Sequence, residues 1–242
     1  MSRYLPKRTF DKYDIERFIV MSRNRILTAV KPKGDTQKRK IFVIGHARTG
    51  TTSLHALFQD AGISSRHSAG NWHLANHDAF SDRGDYRPIQ LYRRLYPNAM
   101  FVLNTRTMGP WVKSMLNHRR RIFSQREIVN LILRRNKYFA DTINLFEGDS
   151  RLVVCDITKV DAFSFIAEAL NLPTPEITPH KNVRLKRREG IWSENFDHIM
   201  SSPIGDFQDY NFIIPQLLDK TQLPYSGWQC CVRNNFGKND FI

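Results

Sequence analysis

The sequence predicts an α/β fold: a three-layer sandwich around a mainly parallel central sheet. Three observations carry this. Short apolar runs without alternation recur at residues 40–45, 100–104 and 152–155, as strands buried on both faces require. Stretches with apolar residues at helical spacing separate them, so strand and helix patterns alternate along the chain. A length of 242 residues with 41% hydrophobic content suits one α/β-sized domain with an extension and excludes wholesale disorder.

The elements follow in order. Residues 11–30 read as an amphipathic helix, with Ile15, Phe18, Ile19, Ile26 and Val30 near one face and Arg17, Arg23, Asn24 and Arg25 elsewhere. Lys31-Pro32-Lys33-Gly34 breaks it and begins a basic linker. Residues 1–39 are thus expected to form a basic N-terminal helical extension and linker, and residues 40–242 the main domain. Residues 40–45 form the first strand and 51–61 a helix carrying Leu54, Leu57, Phe58 and Ala61, closed by Gly62. A weaker second strand is expected at 63–67, a short helix at 89–96, a turn at Pro97-Asn98 and a third strand at 100–104. Pro110 stands near the next helix start, where its missing N–H costs nothing. Residues 126–146 form a long amphipathic helix, 152–155 a fourth strand and 160–170 another helix. Beyond residue 192 the chain is rich in Asn, Asp and Gln and shows no clear pattern.

The formal charge is +14, from 37 Lys and Arg against 23 Asp and Glu. It points to an anionic partner of some kind: nucleic acid, a membrane surface or an acidic small ligand. The charge is concentrated. Residues 1–40 carry +8, residues 105–150 carry +5 and residues 181–192 carry +4. Aliphatic runs stop at four or five residues, far short of the roughly 20 that span a bilayer. No secretory signal is visible, and Cys155, Cys230 and Cys231 make neither a disulfide framework nor a metal spacing. A cytoplasmic-type, reducing compartment is the expectation.

The strongest local signal runs from Ile41 to Leu54: a buried strand, the loop Gly45-His46-Ala47-Arg48-Thr49-Gly50, then a helix beginning Thr51-Thr52-Ser53. Free N–H groups and the positive dipole end of a helix start attract phosphate. Gly50 lets the backbone approach an anion, Thr51, Thr52 and Ser53 add hydroxyls, and Arg48 adds a charge. Gly45 and Gly50 have the spacing of the nucleotide P-loop, but Thr51 stands where that loop has the lysine that reaches the β- and γ-phosphates. This counts against hydrolysis of nucleoside triphosphates. His46 lies inside the loop and is a candidate ligand contact.

A second signal follows the third strand. Arg106 ends it, and Ser114 lies eight residues on, in the first turns of the next helix, with Trp111 between. A guanidinium and a hydroxyl so placed can converge on one phosphate.

Together the two motifs resemble the sulfotransferases that use 3′-phosphoadenosine 5′-phosphosulfate (PAPS). Arg48-Thr49-Gly50-Thr51-Thr52-Ser53 is similar to that family's 5′-phosphosulfate loop, and Arg106 with Ser114 to its 3′-phosphate pair. The Tyr96-Pro97-Asn98-Ala99 lead-in is also similar, as is Leu170-Asn171-Leu172-Pro173-Thr174-Pro175 followed by Pro179-His180-Lys181-Asn182. The resemblance spans residues 41–182 and implies a P-loop-NTPase-like sulfotransferase fold. Two positions depart from it. Thr107 stands where Asp is usual, and Ser53 where the cytosolic small-molecule branch often has Trp, which places the chain nearer the branch with R-T-G-T-T-S loops. Residues 186–192 resemble the basic segment that some members fold over the 3′-phosphate, which makes Arg187 and Arg188 candidate phosphate ligands; a solvated basic loop is the other reading.

The implied activity is transfer of a sulfuryl group from PAPS to a hydroxyl or amine of an acceptor, a glycan or lipid among the candidates, leaving adenosine 3′,5′-bisphosphate. Arg48 and Thr52 would serve catalysis as well as binding. A base must take the acceptor's proton. His67, at the end of the second strand and expected beside the first, is the leading candidate because imidazole titrates near neutrality; Asp82 and Asp78 are the alternatives. No metal-ligand cluster is apparent: His73 and His77 have an i,i+4 spacing but no third ligand. The competing readings are a P-loop nucleotide-binding protein or kinase, and a basic module for anionic polymers. The latter has no aromatic interleaving to support it, so nucleic acid is not an expected partner. The N-terminal +8 would suit peripheral association with an acidic surface.

Overall fold

A computed structural model describes residues 12–31, 33–67, 73–106, 108–119, 125–175 and 225–226. Six parallel strands form one sheet in the order β2-β3-β1-β4-β5-β6. They are β1 (Ile41–Val43), β2 (Ser65–His67), β3 (Ala79–Ser81), β4 (Met100–Thr105), β5 (Leu152–Asp156) and a two-residue β6 (Tyr225–Ser226). The helices are α1 (Lys12–Val30), α2 (Thr51–Asp60), α3 (Ile89–Leu95), α4 (Met108–Arg119), α5 (Gln125–Leu145) and α6 (Ala162–Ala169), with a 3-10 turn at Gly84–Tyr86.

Period-two alternation along fully buried strands builds two cores, one on each face. Phe42, Ile44, Phe80, Phe101, Leu103, Leu152 and Val154 meet α3 through Ile89 and Tyr92, and α5 through Phe139 and Ile143, with Phe146 just past its end. Phe42 centres an aromatic cluster there, 4.6 Å from Tyr92 and 5.3 Å from Phe80 between ring centroids. Ile41, Val43, Ala79, Val102, Val153 and Cys155 meet α2 through Leu54, Leu57 and Phe58, and α6 through Phe163 and Ile166. The three-layer α/β expectation is met among the described residues.

The expected strands and helices appear with end shifts of one or two residues. The exceptions are the two-residue β6, in a stretch where the sequence shows no pattern, and β3. Ala79-Phe80-Ser81 lies among His, Asn and Asp residues and is too short to make an apolar run, so the sequence gives no strand signal there. β3 inserts between β1 and β2, pairing Phe80 with both Phe42 and Arg66. β2 is therefore an edge strand and does not touch β1, contrary to the expectation for His67.

The amphipathicity of α1 is inverted. Its polar face is the one that docks: Asn24 and Thr28 are buried, Arg17 Nε donates to the Asp85 carbonyl at 3.0 Å, and Asn24 Nδ2 to the Tyr86 carbonyl at 3.3 Å. Glu16 pairs with Arg83. Ile15, Phe18, Ile19, Ile26 and Val30 face solvent.

Candidate functional site

The chain leaves β1 for α2 on one face of the sheet and reaches β4 through α3 on the other. β1 thus marks the switch point, and ligands of open parallel sheets bind outside the strand C-termini at such a point. The loop after β1 lies there.

Its conformation is fixed from β4. Asn104 Oδ1 accepts from the Gly45 amide at 3.1 Å. Asn104 Nδ2 donates to the Thr49 carbonyl at 2.6 Å and to Thr49 Oγ1 at 2.8 Å. One buried amide group therefore holds both ends of the loop. A Cβ at position 45 would run into the Asn104 carbonyl and side chain, so glycine is required for this approach rather than for ligand contact alone. Trp111 Nε1, on α4, donates to the Ala47 carbonyl at 3.1 Å. Arg48 and Gly50 both have left-handed backbones, with φ of 69° and 82°. For arginine this stores strain of order 1–3 kcal/mol, a feature of functional loops. α2 starts at Gly50 with no side-chain cap and no acidic residue in its first turn, leaving its positive end directed into the loop.

The two segments singled out in the sequence meet. Arg48 Nε donates to Ser114 Oγ at 3.0 Å. Arg106 follows β4, and its Nε is buried without a partner among the described residues. Burial lowers the Arg106 pKa, with Asp156 opposing the shift. Arg135 from α5 braces the same strand end: its Nη2 donates to Thr105 Oγ1 at 2.7 Å and to the Arg106 carbonyl at 2.6 Å. Its guanidinium lies 5.0 Å from the Trp111 ring.

His67 joins the site despite riding on an edge strand. Its Nε2 is 3.5 Å from Thr52 Oγ1, a contact at the limit of hydrogen bonding, and its Nδ1 is 2.9 Å from Ser81 Oγ. Burial pulls the imidazole pKa below 6.5, Asp82 raises it and Arg87 lowers it. The neutral form thus prevails at neutral pH. Asp82 sits just past β3 in a left-handed conformation, φ 77°. Buried Arg87 holds that turn through the Ser81 and Asp82 carbonyls. His55 stacks on His67 at 5.7 Å and pairs with Ser65 Oγ.

No protein-family model matches the chain, and neither does any curated protein.

The site therefore stands on its own geometry. Of the residues singled out in the sequence, Arg48, Thr49, Gly50, Thr51, Thr52, Ser53, Arg106, Ser114, His67 and Asp82 gather at the C-terminal ends of β1, β3 and β4 and the edge strand β2. His46 does not face outward. It is buried, 3.1 Å from Asp85 through Nδ1, with its ring against Tyr138 and Phe139. Asp78 pairs with Lys38 and Lys40 at the other end of β3, away from the loop. His73 and His77 contact edge to face, and no group of metal-ligating residues occurs among the described residues. Arg187, Arg188, residues 179–182 and Thr107 lie outside the described residues.

Asn104, Arg135 and Ser81 were not singled out from the sequence. Asn104 carried a readable signal, a polar residue inside an otherwise apolar buried run. Ser81 and Arg135 carried none that separates them from other serines and arginines. A cavity of about 480 Å³, lined by Gln90, Arg93, Arg94 and Arg151, opens elsewhere, at the start of β5. Arg93 and Arg151 both bond Asp149 there, so its charge serves an internal ion-pair cluster.

Proposed function

We propose that the chain is a sulfotransferase that uses PAPS as sulfuryl donor and modifies a hydroxyl or amine of an acceptor. The observation that carries this reading is the bond between Arg48 and Ser114. It joins residues 66 apart in sequence, from the two candidate anion-binding segments, and this supports reading them as one site for a donor with two phosphates, without the lysine that triphosphate chemistry calls for.

The residues fit the donor. The uncapped start of α2 and the unpartnered buried Nε of Arg106 are donors awaiting an anion. Arg48, Thr49, Gly50, Thr51, Thr52 and Ser53 would hold the 5′-phosphosulfate, and Arg106 with Ser114 the 3′-phosphate. When bound, the donor supplies an electrophilic sulfur with a phosphate leaving group. Arg48, the Thr51 and Thr52 hydroxyls and the amides of the loop offset negative charge on the leaving and equatorial oxygens. His67 takes the acceptor's proton at Nε2, while Ser81 at Nδ1 holds the ring in position. Thr52, between loop and histidine, keeps the base close to the sulfate end.

The test is calorimetric titration with adenosine 3′,5′-bisphosphate and with ATP. The bisphosphate is expected to bind and ATP to bind weakly. Arg106→Ala is expected to cost about 2–5 kcal/mol of bisphosphate affinity, the loss typical of truncating one partner of a buried charge pair. Equal binding of the two nucleotides overturns the reading. Labelled PAPS with a panel of acceptors then reports turnover.

A further inference from the structure

We propose that the outward face of α1 is a docking surface for an anionic lipid bilayer, with the helix lying in the plane of the interface. Phe18 is 70% exposed and Val30 69%, and Ile15, Ile19 and Ile26 all exceed half. A single exposed apolar residue is ordinary, but five on one helix face form a stripe. At 3.6 residues per turn, Ile15 and Ile26 lie at its centre, with Arg23 about 80° to one side and Arg25 about 80° to the other. Both arginines are exposed. An apolar stripe between two cationic rims is the pattern of helices that lie on acidic membranes.

The polar face is already engaged. Arg17, Asn24 and Glu16 tether the helix to the turn after β3, so among the described residues the stripe is the side left for an outside partner. Charge selects which partner. A second copy seated on the same stripe would bring arginine rims against arginine rims, and Glu16 is already paired with Arg83. An anionic surface answers both rims at once. Interfacial binding of this kind needs no spanning segment, and no described helix is long and apolar enough to be one.

The experiment is flotation of the full chain with phosphatidylcholine vesicles, with and without about 30 mol% phosphatidylserine, the lipid that gives cytoplasmic leaflets their negative potential. Binding to the anionic vesicles is expected, weakened by salt, and falling at least tenfold both for Phe18→Ser with Ile26→Ser and for Arg23→Glu with Arg25→Glu. A Phe18→Trp variant adds a readout that leaves the fold alone: relative to the unsubstituted chain, its added fluorescence is expected to be quenched by brominated lipid. No binding to anionic vesicles, binding indifferent to the stripe substitutions, or absence of that quenching overturns the proposal. A dimer in sedimentation that Phe18→Ser dissociates, without vesicle binding, overturns it in favour of a second copy.

Discussion

At the scale of single residues, Asn104 makes the case for a side chain whose work is to hold a loop. It accepts one hydrogen bond and donates two, and all are buried. Asn104→Ala leaves the Gly45 amide and the Thr49 carbonyl without that partner. The expected cost is about 1–3 kcal/mol in urea denaturation, with a parallel loss of bisphosphate affinity. Unchanged affinity would mean that the loop keeps its shape unaided. His67 and Asp82 give a pH prediction. Because burial holds the His67 pKa below 6.5, activity is expected to rise with pH through that lowered value and level off before neutrality. The Asp82 carboxylate raises the His67 pKa. Asp82→Asn, which tolerates the left-handed turn, is therefore expected to move the acid limb of the profile to lower pH. His67→Gln is expected to lower turnover about 10²–10⁴-fold while leaving bisphosphate binding intact. An acid limb that stays in place in Asp82→Asn would remove His67 from the role of base.

At the scale of elements, burial decided what could be read. β1, β4 and β5 are covered on both faces, and each left an unbroken apolar run in the sequence. β3 is equally buried, but three residues with a serine at the end make no run, and its position between β1 and β2 follows from pairing that sequence pattern does not encode. For α1 the periodicity was legible and its direction was not. A helical wheel shows which residues share a face, whereas which face docks was settled by backbone carbonyls of the Gly84–Tyr86 turn that Arg17 and Asn24 could reach. This inversion is measurable. Phe18→Ser is expected to change folding stability by no more than about 0.5 kcal/mol. Asn24→Ala, which leaves the buried Tyr86 carbonyl without that donor, is expected to cost about 1–2 kcal/mol. The opposite ranking in thermal melts would place the apolar face inward.

At the scale of the whole molecule, the +14 charge divides into parts with different work. Arg48 and Arg106 belong to the candidate site, Arg87 and Arg135 are buried braces, and Arg93 and Arg151 clamp Asp149 between α3 and the start of β5. Burial tends to raise the Asp149 pKa, but hydrogen bonds from Arg151 and Arg93 outweigh it and leave it at about 2, below the usual 3.8 of an aspartate. The stability this supplies is complete above about 3.8 and is lost as pH falls from there toward 2. His67, held neutral by the fold, acts over a different window: stability declines as pH falls below about 6.5 toward its lowered folded value. Acid titration of the unfolding midpoint is expected to show both limbs, with the lower one missing in Asp149→Asn. The inserted strand has one more consequence. Because β3 separates β2 from β1, the proposed base is moored to the sheet through a three-residue edge strand, while the loop after β1 springs from a strand paired on both sides. Edge elements with few partners open at lower free energy than the centre of a sheet. Amides of β2 should accordingly exchange with solvent well before those of β1 and β4, which would let the proposed base give way at the sheet edge while the loop after β1 keeps its shape.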